Sequence, residues 1–177
     1  HGALAPGTPG ARNRVTSVTT VAVPAETRPG ERRVALVPES VGRLTALGVD
    51  VRVQAGAGAP ANALDEAYRD AGASVVDGDV LAGADVVLTV NSLDVDRIDS
   101  LSRGTTVVSF LAPLQSLDKV AAAQRAGLSW LSMELVPRIS RAQSMDALSS
   151  QGLVAGYRCA LVAAERLPKF FPMLMTA

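Results

Sequence analysis

The residues best suited to chemistry lie in a polar stretch late in the chain, from Pro137 to Ser150. The stretch places two arginines, one glutamine, one aspartate and four serines between apolar segments. Asp146 can accept a hydrogen bond from a carboxamide NH₂, and Arg138 can donate to a carboxamide oxygen or orient Asp146. Gln143 offers both a donor and an acceptor to a ribose. The stretch therefore favours a ligand that has an amide group and several hydroxyls.

A purely local role for the same residues is the alternative. Ser144 or Asp146 can cap the helix that follows, and the arginines can be solvated. Both interpretations stay open, because a loop that begins a helix is also a good place to hold a ligand.

A second candidate site is the run Gly56-Ala57-Gly58-Ala59-Pro60-Ala61, which fits the glycine-rich dinucleotide pattern. Asp77 lies nineteen residues after Gly58, where a ribose-binding acid can sit. The alternative is a tight turn that uses glycine for its backbone angles. Pro60 favours the turn, because it lacks an amide hydrogen that could bind a phosphate.

Composition excludes several classes of function. Lys+Arg and Asp+Glu number 17 each, so there is no basic excess for nucleic acid. Cys159 is the single cysteine and His1 the only histidine, so neither a Cys/His zinc site nor a Ser-His-Asp triad built on a buried histidine is expected, and we predict no metal. No stretch of about 18 apolar residues spans a membrane. The apolar segment 152–164 contains Arg158 and predicts a buried or half-buried helix.

Strands and helices that position these candidates alternate from Val18 onward. Apolar runs predict strands over 18–23, 49–53, 75–76, 85–90, 105–111 and 128–131. Periodic segments that end at glycine predict helices over 38–47, 63–71 and 118–126, and a further helix runs from the polar stretch to about Leu167. This spacing predicts an α/β fold with a Rossmann-like, doubly wound parallel sheet.

The polar stretch also resembles a known family. Residues 136–157, continuing to the run Lys169-Phe170-Phe171-Pro172-Met173-Leu174-Met175-Thr176-Ala177, closely resemble the alpha subunit of proton-translocating nicotinamide nucleotide transhydrogenases. Residues 23–27, 31–35, 54–58 and 104–110 also match that family. The resemblance covers 18–177, and it lowers the expectation that the Gly56–Gly58 turn binds a nucleotide.

The resemblance implies roles for four residues. In that family an Arg-Gln-Asp loop lies against the nicotinamide end of NAD(H) and faces the neighbouring subunit, which binds NADP(H). By position, Arg138, Gln143, Asp146 and Ser149 are expected to contact the cofactor. The first three are expected to position the reactants for hydride transfer, without acting as acid or base.

The resemblance also implies how the chain is organised. We expect a disordered leader or cloning remnant over 1–17, an N-terminal α/β domain of the alanine dehydrogenase/transhydrogenase type over 18–136, and the Arg-Gln-Asp loop with a connecting helix over 137–177. The NAD pyrophosphate is expected in a following dinucleotide-binding domain, which is expected to lie outside these 177 residues, so the chain alone is expected to be inactive.

Partners and location follow from the same resemblance. Membrane-spanning and NADP(H)-binding subunits are expected to hold this subunit, as a homodimer, on the cytoplasmic face of the plasma membrane. There they couple hydride transfer between NAD(H) and NADP(H) to proton translocation.

Alanine dehydrogenases share this N-terminal fold and are the first alternative. Their reaction passes through an imine and needs a lysine and a histidine to bind substrate and move protons. This chain has Asn91 and Ala112 at those positions, while Arg33 matches their carboxylate-binding arginine. Hydride transfer between two nicotinamides needs only that the reacting carbons be held close, so these substitutions favour a transhydrogenase. A non-catalytic interaction module is the third possibility.

Overall fold

A computed structural model describes residues 18–169 of the protein. The expected leader over 1–17 and the family-like run 170–177 lie outside the described residues. Six strands form one parallel sheet in the order β3-β2-β1-β4-β5-β6. They are β1 (Thr20–Val23), β2 (Asp50–Gln54), β3 (Ser74–Val76), β4 (Val86–Leu88), β5 (Thr106–Ser109) and β6 (Ser129–Ser132). The predicted Rossmann-like sheet is confirmed.

Five α-helices accompany the sheet in the described part of the chain. They are α1 (Pro38–Thr45), α2 (Asp65–Asp70), α3 (Val95–Asp99), α4 (Leu117–Ala126) and α5 (Ala147–Arg166). Short 3-10 helices lie at Ala59–Ala61, Met133–Leu135 and Ser140–Met145. Helix α3 was not predicted, because its five residues are too few to show a helical period.

Two apolar layers cover the two faces of the sheet. Ala22, Val87 and Val107 pack towards α3 and α4, where Ile98 and Ala122 are fully buried. On the other face the layer formed with α1 and α2 contains Val23, Val41, Val51, Val53 and Tyr68. Neighbouring residues of β1 point to opposite layers, as the twofold repeat of a strand requires. This arrangement is a doubly wound fold.

The strand order reverses between β1 and β4, which are neighbours in the sheet. In open parallel sheets the carboxyl ends of the strands at such a point flank a crevice, which is the usual place for a ligand. The crevice here has a volume of about 540 Å³. It is bordered by the loops that follow β1, β4 and β5, and by the start of α4.

Helix α5 differs from its prediction. The segment 152–164 was expected to be buried or half-buried, but Leu153 and Tyr157 are 75% and 69% exposed, and no residue of α5 is fully buried. The reason is that other helices already cover both faces of the sheet. The main contact of α5 is with the 3-10 helix Met133–Leu135. Within 18–169, no helix combines the length and the hydropathy needed to cross a bilayer.

The glycine-rich turn at Gly56 and Gly58 has a local structural explanation. Gly56 adopts a positive φ of 76°, and its amide donates to the carboxylate of Asp65 at 3.0 Å. A Cβ on Gly58 would lie 2.4 Å from the carbonyl oxygen of Ala63. Because a carboxylate already occupies the Gly56 amide, the turn offers a poor place for a phosphate. These contacts favour the turn over a dinucleotide site.

Candidate functional site

The N-terminus of α5 is built around Asp146. Its Oδ1 accepts the Ser149 amide hydrogen at 2.9 Å, and its Oδ2 accepts the Ser149 hydroxyl at 2.6 Å. Asp146 is therefore the N-cap of α5, as the local interpretation of the polar stretch predicts. Ala142 is the buried residue of the 3-10 helix Ser140–Met145, which precedes α5, and the polar side chains next to it lie at the surface.

Three of the four residues singled out from the sequence line one open pocket. Arg138, Gln143 and Asp146 border a depression of about 390 Å³, together with Ile139, Ser140 and Ala142. Ser149 does not line this pocket, but it joins the group through its two hydrogen bonds to Asp146. The stretch thus brings a guanidinium, a carboxamide and a carboxylate to one concave surface.

The charge of Asp146 is fixed by the same contacts. The hydrogen bond from the Ser149 hydroxyl lowers the pKa of Asp146, with smaller contributions from the Ser149 amide and the charge of Arg138. Asp146 is therefore an anion at neutral pH and can act as an acceptor, but it is a poor acid or base. Each of its oxygens has a second lone pair, so capping the helix does not prevent it from accepting from a ligand.

A second polar group connects the sheet to α5. The carboxylate of Glu31 accepts from Arg33 Nε at 2.8 Å and from Arg33 Nη2 at 2.7 Å. These bonds outweigh desolvation and lower the pKa of Glu31 from 4.5 to about 2. The remaining guanidinium nitrogen, Nη1, donates to Gln151 Oε1 of α5 at 3.1 Å. Arg33 thus contacts both the loop after β1 and the second turn of α5.

The two positions that distinguish alanine dehydrogenases lie in the crevice at the switch point. Asn91 and Ala112 both border it, after β4 and β5 respectively. The side-chain nitrogen of Asn91 donates to Glu26 and Glu31, each at 2.9 Å, and its side-chain oxygen accepts from Arg28 at 3.3 Å. Both Asn91 and Ala112 have side chains that cannot exchange protons at neutral pH.

The loop that contains Ala112 is held by a partly buried carboxylate. Ala112 has a positive φ of 51°, which is uncommon for a residue with a Cβ. Glu134 accepts hydrogen bonds from the amides of Leu111 and Ala112. Burial opposes ionisation of Glu134, but these and other hydrogen bonds prevail and lower its pKa. The carboxylate therefore stabilises the backbone conformation of a loop that borders the crevice.

Sequence reasoning missed Gln151 and the roles of Glu26, Glu31 and Glu134. The pair Glu31 and Arg33 was visible as a two-residue spacing, which lets the side chains meet across a turn. Gln151 lies 118 positions from Arg33, and no local pattern signals a contact at that distance.

The chain is similar to known proteins over most of its length. A family described as "Alanine dehydrogenase/PNT, N-terminal domain" matches residues 22–155. The chain is 41% identical over 164 residues to the first portion of the NAD(P) transhydrogenase alpha subunit of Rhodospirillum rubrum, covering 89% of this chain and 43% of that protein. The chain therefore spans less than half the length of this curated relative.

Two solved structures have the same fold. A transhydrogenase from Sinorhizobium meliloti superposes with a TM-score of 0.83 and 41% identity, covering 89% of this chain and 48% of that one. An L-alanine dehydrogenase superposes with a TM-score of 0.76 and 26% identity, covering 83% of this chain and 40% of that one. Identity is thus higher to the transhydrogenase than to the dehydrogenase.

Proposed function

Because the chain belongs to the alanine dehydrogenase/PNT N-terminal domain family, we propose that it is a segment of the NAD(H)-binding alpha subunit of a proton-translocating NAD(P) transhydrogenase. The observation that supports this most directly is the pocket lined by Arg138, Gln143 and Asp146 at the start of α5. Its residue types suit a nicotinamide riboside, and the relatives with the higher identity are named transhydrogenases.

In the proposed reaction these residues position the nicotinamide and do not exchange protons. Arg138 donates to the carboxamide oxygen, and Asp146 accepts from the carboxamide NH₂ with a lone pair that Ser149 leaves free. Gln143 has no side-chain hydrogen bond within the described residues and is exposed, so its amide is available to a ribose hydroxyl. Holding the two reacting carbons close and in line is the whole requirement for hydride transfer.

In the proposed complex, a separate domain and partner subunits supply the remaining parts of the reaction. A bound NAD(H) supplies the hydride chemistry at this pocket, and its pyrophosphate contacts are assigned to the separate dinucleotide-binding domain. NADP(H) is assigned to a partner subunit, and a membrane-spanning partner holds the complex at the cytoplasmic face of the membrane. A homodimer and the division into 18–136 and 137–177 belong to the same proposal.

The structure disfavours the alanine dehydrogenase alternative. Asn91 and Ala112 lie in one crevice, but neither supplies the proton donor that an imine intermediate requires. Arg33, the counterpart of the carboxylate-binding arginine, directs its guanidinium to Glu31 and Gln151.

The experiment combines the subunit that contains this chain with its NADP(H)-binding partner. Mixing NADH with an oxidised NADP analogue of distinct absorbance measures hydride transfer directly. We expect transfer that depends on both subunits. A complex that binds both nucleotides but transfers no hydride would contradict the proposal. If the subunit assembles with its partner and NADH has no effect on the assembly, the result would instead support a non-catalytic interaction module.

A further inference from the structure

The first turns of α5 are held away from the sheet. A cavity of about 360 Å³ lies between Ala147 and Gln151 on the helix and the ends of β4 and β5. Apolar side chains, including Val90, Phe110 and Met133, line most of it. Because this space is open, close packing does not fix the distance between the start of α5 and the sheet.

One polar contact spans this space. The hydrogen bond from Arg33 Nη1 to Gln151 Oε1, at 3.1 Å, is the only side-chain hydrogen bond within residues 18–169 that joins α5 to the sheet and its loops. The arginine is itself held by two parallel bonds to Glu31, a geometry that fixes the direction of the guanidinium plane. Glu31 is anchored in turn, since its side chain is only 8% exposed and accepts from Asn91 at 2.9 Å.

Gln151 is close to the residues assigned to the nicotinamide. It follows Ser149 by two positions, near the turn of α5 that Asp146 begins. Consecutive helical residues rise by only about 1.5 Å, so Gln151 lies close to Ser149 and Asp146 along the helix axis. A displacement of the rigid helix at Gln151 therefore also moves Asp146 and Ser149.

From this arrangement we propose that Arg33 is a positioning residue for hydride transfer. It fixes the first turns of α5, and with them Asp146 and Ser149, at a set distance from the sheet through Glu31 and Gln151. The inference rests on the proposed function and adds a role to it. It also gives Arg33 a different task from binding a substrate carboxylate.

The test uses variants at both ends of the contact in the complete two-subunit complex. Arg33→Gln and Gln151→Leu each remove the hydrogen bond, whereas Gln151→Glu keeps an acceptor for Arg33. Single-turnover hydride transfer, with both nucleotides bound beforehand, should slow by between about tenfold and a hundredfold in the first two variants. NADH affinity should change much less, and Gln151→Glu should transfer hydride close to the wild-type rate.

A double variant and a matched control make the result decisive. Arg33→Gln combined with Gln151→Leu should be no slower than the slower single variant, because each single change already removes the contact between Arg33 and Gln151. Arg125→Ala removes an exposed ion pair to Asp99, away from α5, and should leave the rate unchanged. Melting temperatures that match the wild type would exclude general destabilisation as the cause of the slower hydride transfer.

Two failures can be told apart. If the wild-type complex transfers hydride and the Arg33 and Gln151 variants match Arg125→Ala, the positioning role is wrong while the proposed function stands. Rate losses that add in the double variant also refute the shared contact. If the wild-type complex binds both nucleotides and transfers nothing, the proposed function itself fails.

Discussion

Shortening Gln143 by one methylene tests whether the Arg-Gln-Asp loop positions the reactants. Gln143→Asn keeps the carboxamide but withdraws it by about one carbon–carbon bond, or about 1.5 Å. A misplacement of about 1 Å can cost on the order of a hundredfold in rate, so we expect hydride transfer to slow by about that factor. Stability should stay within about 0.5 kcal/mol, because the side chain is exposed and has no hydrogen bond among the described residues.

The assay is stopped-flow single-turnover transfer with both nucleotides bound beforehand, which separates the hydride step from binding and release. NADH affinity should fall only a few-fold, and the pH dependence of the rate should keep its wild-type shape, since no proton donor is removed. Gln124→Asn is the matched control, because Gln124 is an exposed glutamine on α4, outside the pocket. An unchanged rate in both Gln143→Asn and Asp146→Asn would refute positioning and leave only the capping role.

Three further outcomes are expected. The complete subunit should form no NADH with alanine, because Asn91 and Ala112 cannot move the required protons, and robust alanine oxidation would overturn the assignment. The isolated 177-residue chain should bind NADH only weakly in a fluorescence titration, whereas micromolar binding would make the Gly56 turn a real site. The pKa of Glu31 is lowered from 4.5 to about 2 on folding, so its stabilising contribution is present above about pH 4.5 and is lost as the pH falls towards 2. Urea unfolding should therefore show Glu31→Gln to be less stable than wild type by about 1 kcal/mol at pH 6, after allowing for solvent screening of the half-exposed Arg33. That difference should shrink towards zero near pH 2, and a constant difference would contradict the assigned pKa.

The sheet could be predicted from the sequence because its signals are local. Valine-rich runs such as 105–111 mark buried parallel strands, and Gly127, with a φ of 67°, ends α4 where the pattern indicates. The exposure of α5 could not be predicted, because an apolar sequence shows what a helix can bury but not which neighbours are present.

The candidate site also contains both residues that the sequence could predict and residues that it could not. Asp146 could be named because aspartate is a residue type that caps helices and also accepts hydrogen bonds from a carboxamide. Gln151 could not be named, since its side chain contacts Arg33, which lies 118 positions earlier in the chain. Residue type indicated the chemistry of the pocket, and only the tertiary structure revealed what holds it in place.

The position of Asn91 between two carboxylates bears on how the two branches of this family can diverge. Glu26 and Glu31 each accept from its side-chain nitrogen at 2.9 Å, while Arg28 donates to its oxygen and Arg33 pairs with Glu31, so a neutral amide lies among two carboxylates and two guanidiniums. An ammonium carries three donors and a full charge, and it would satisfy both acceptors at once. We therefore expect Asn91→Lys to fold with a melting temperature close to that of wild type, although Arg28 would lose its acceptor. The crevice already contains one ammonium, since Lys119 lines it and donates to Ser92 at 2.8 Å, and a lysine at position 91 would add a second ammonium beside Glu26 and Glu31.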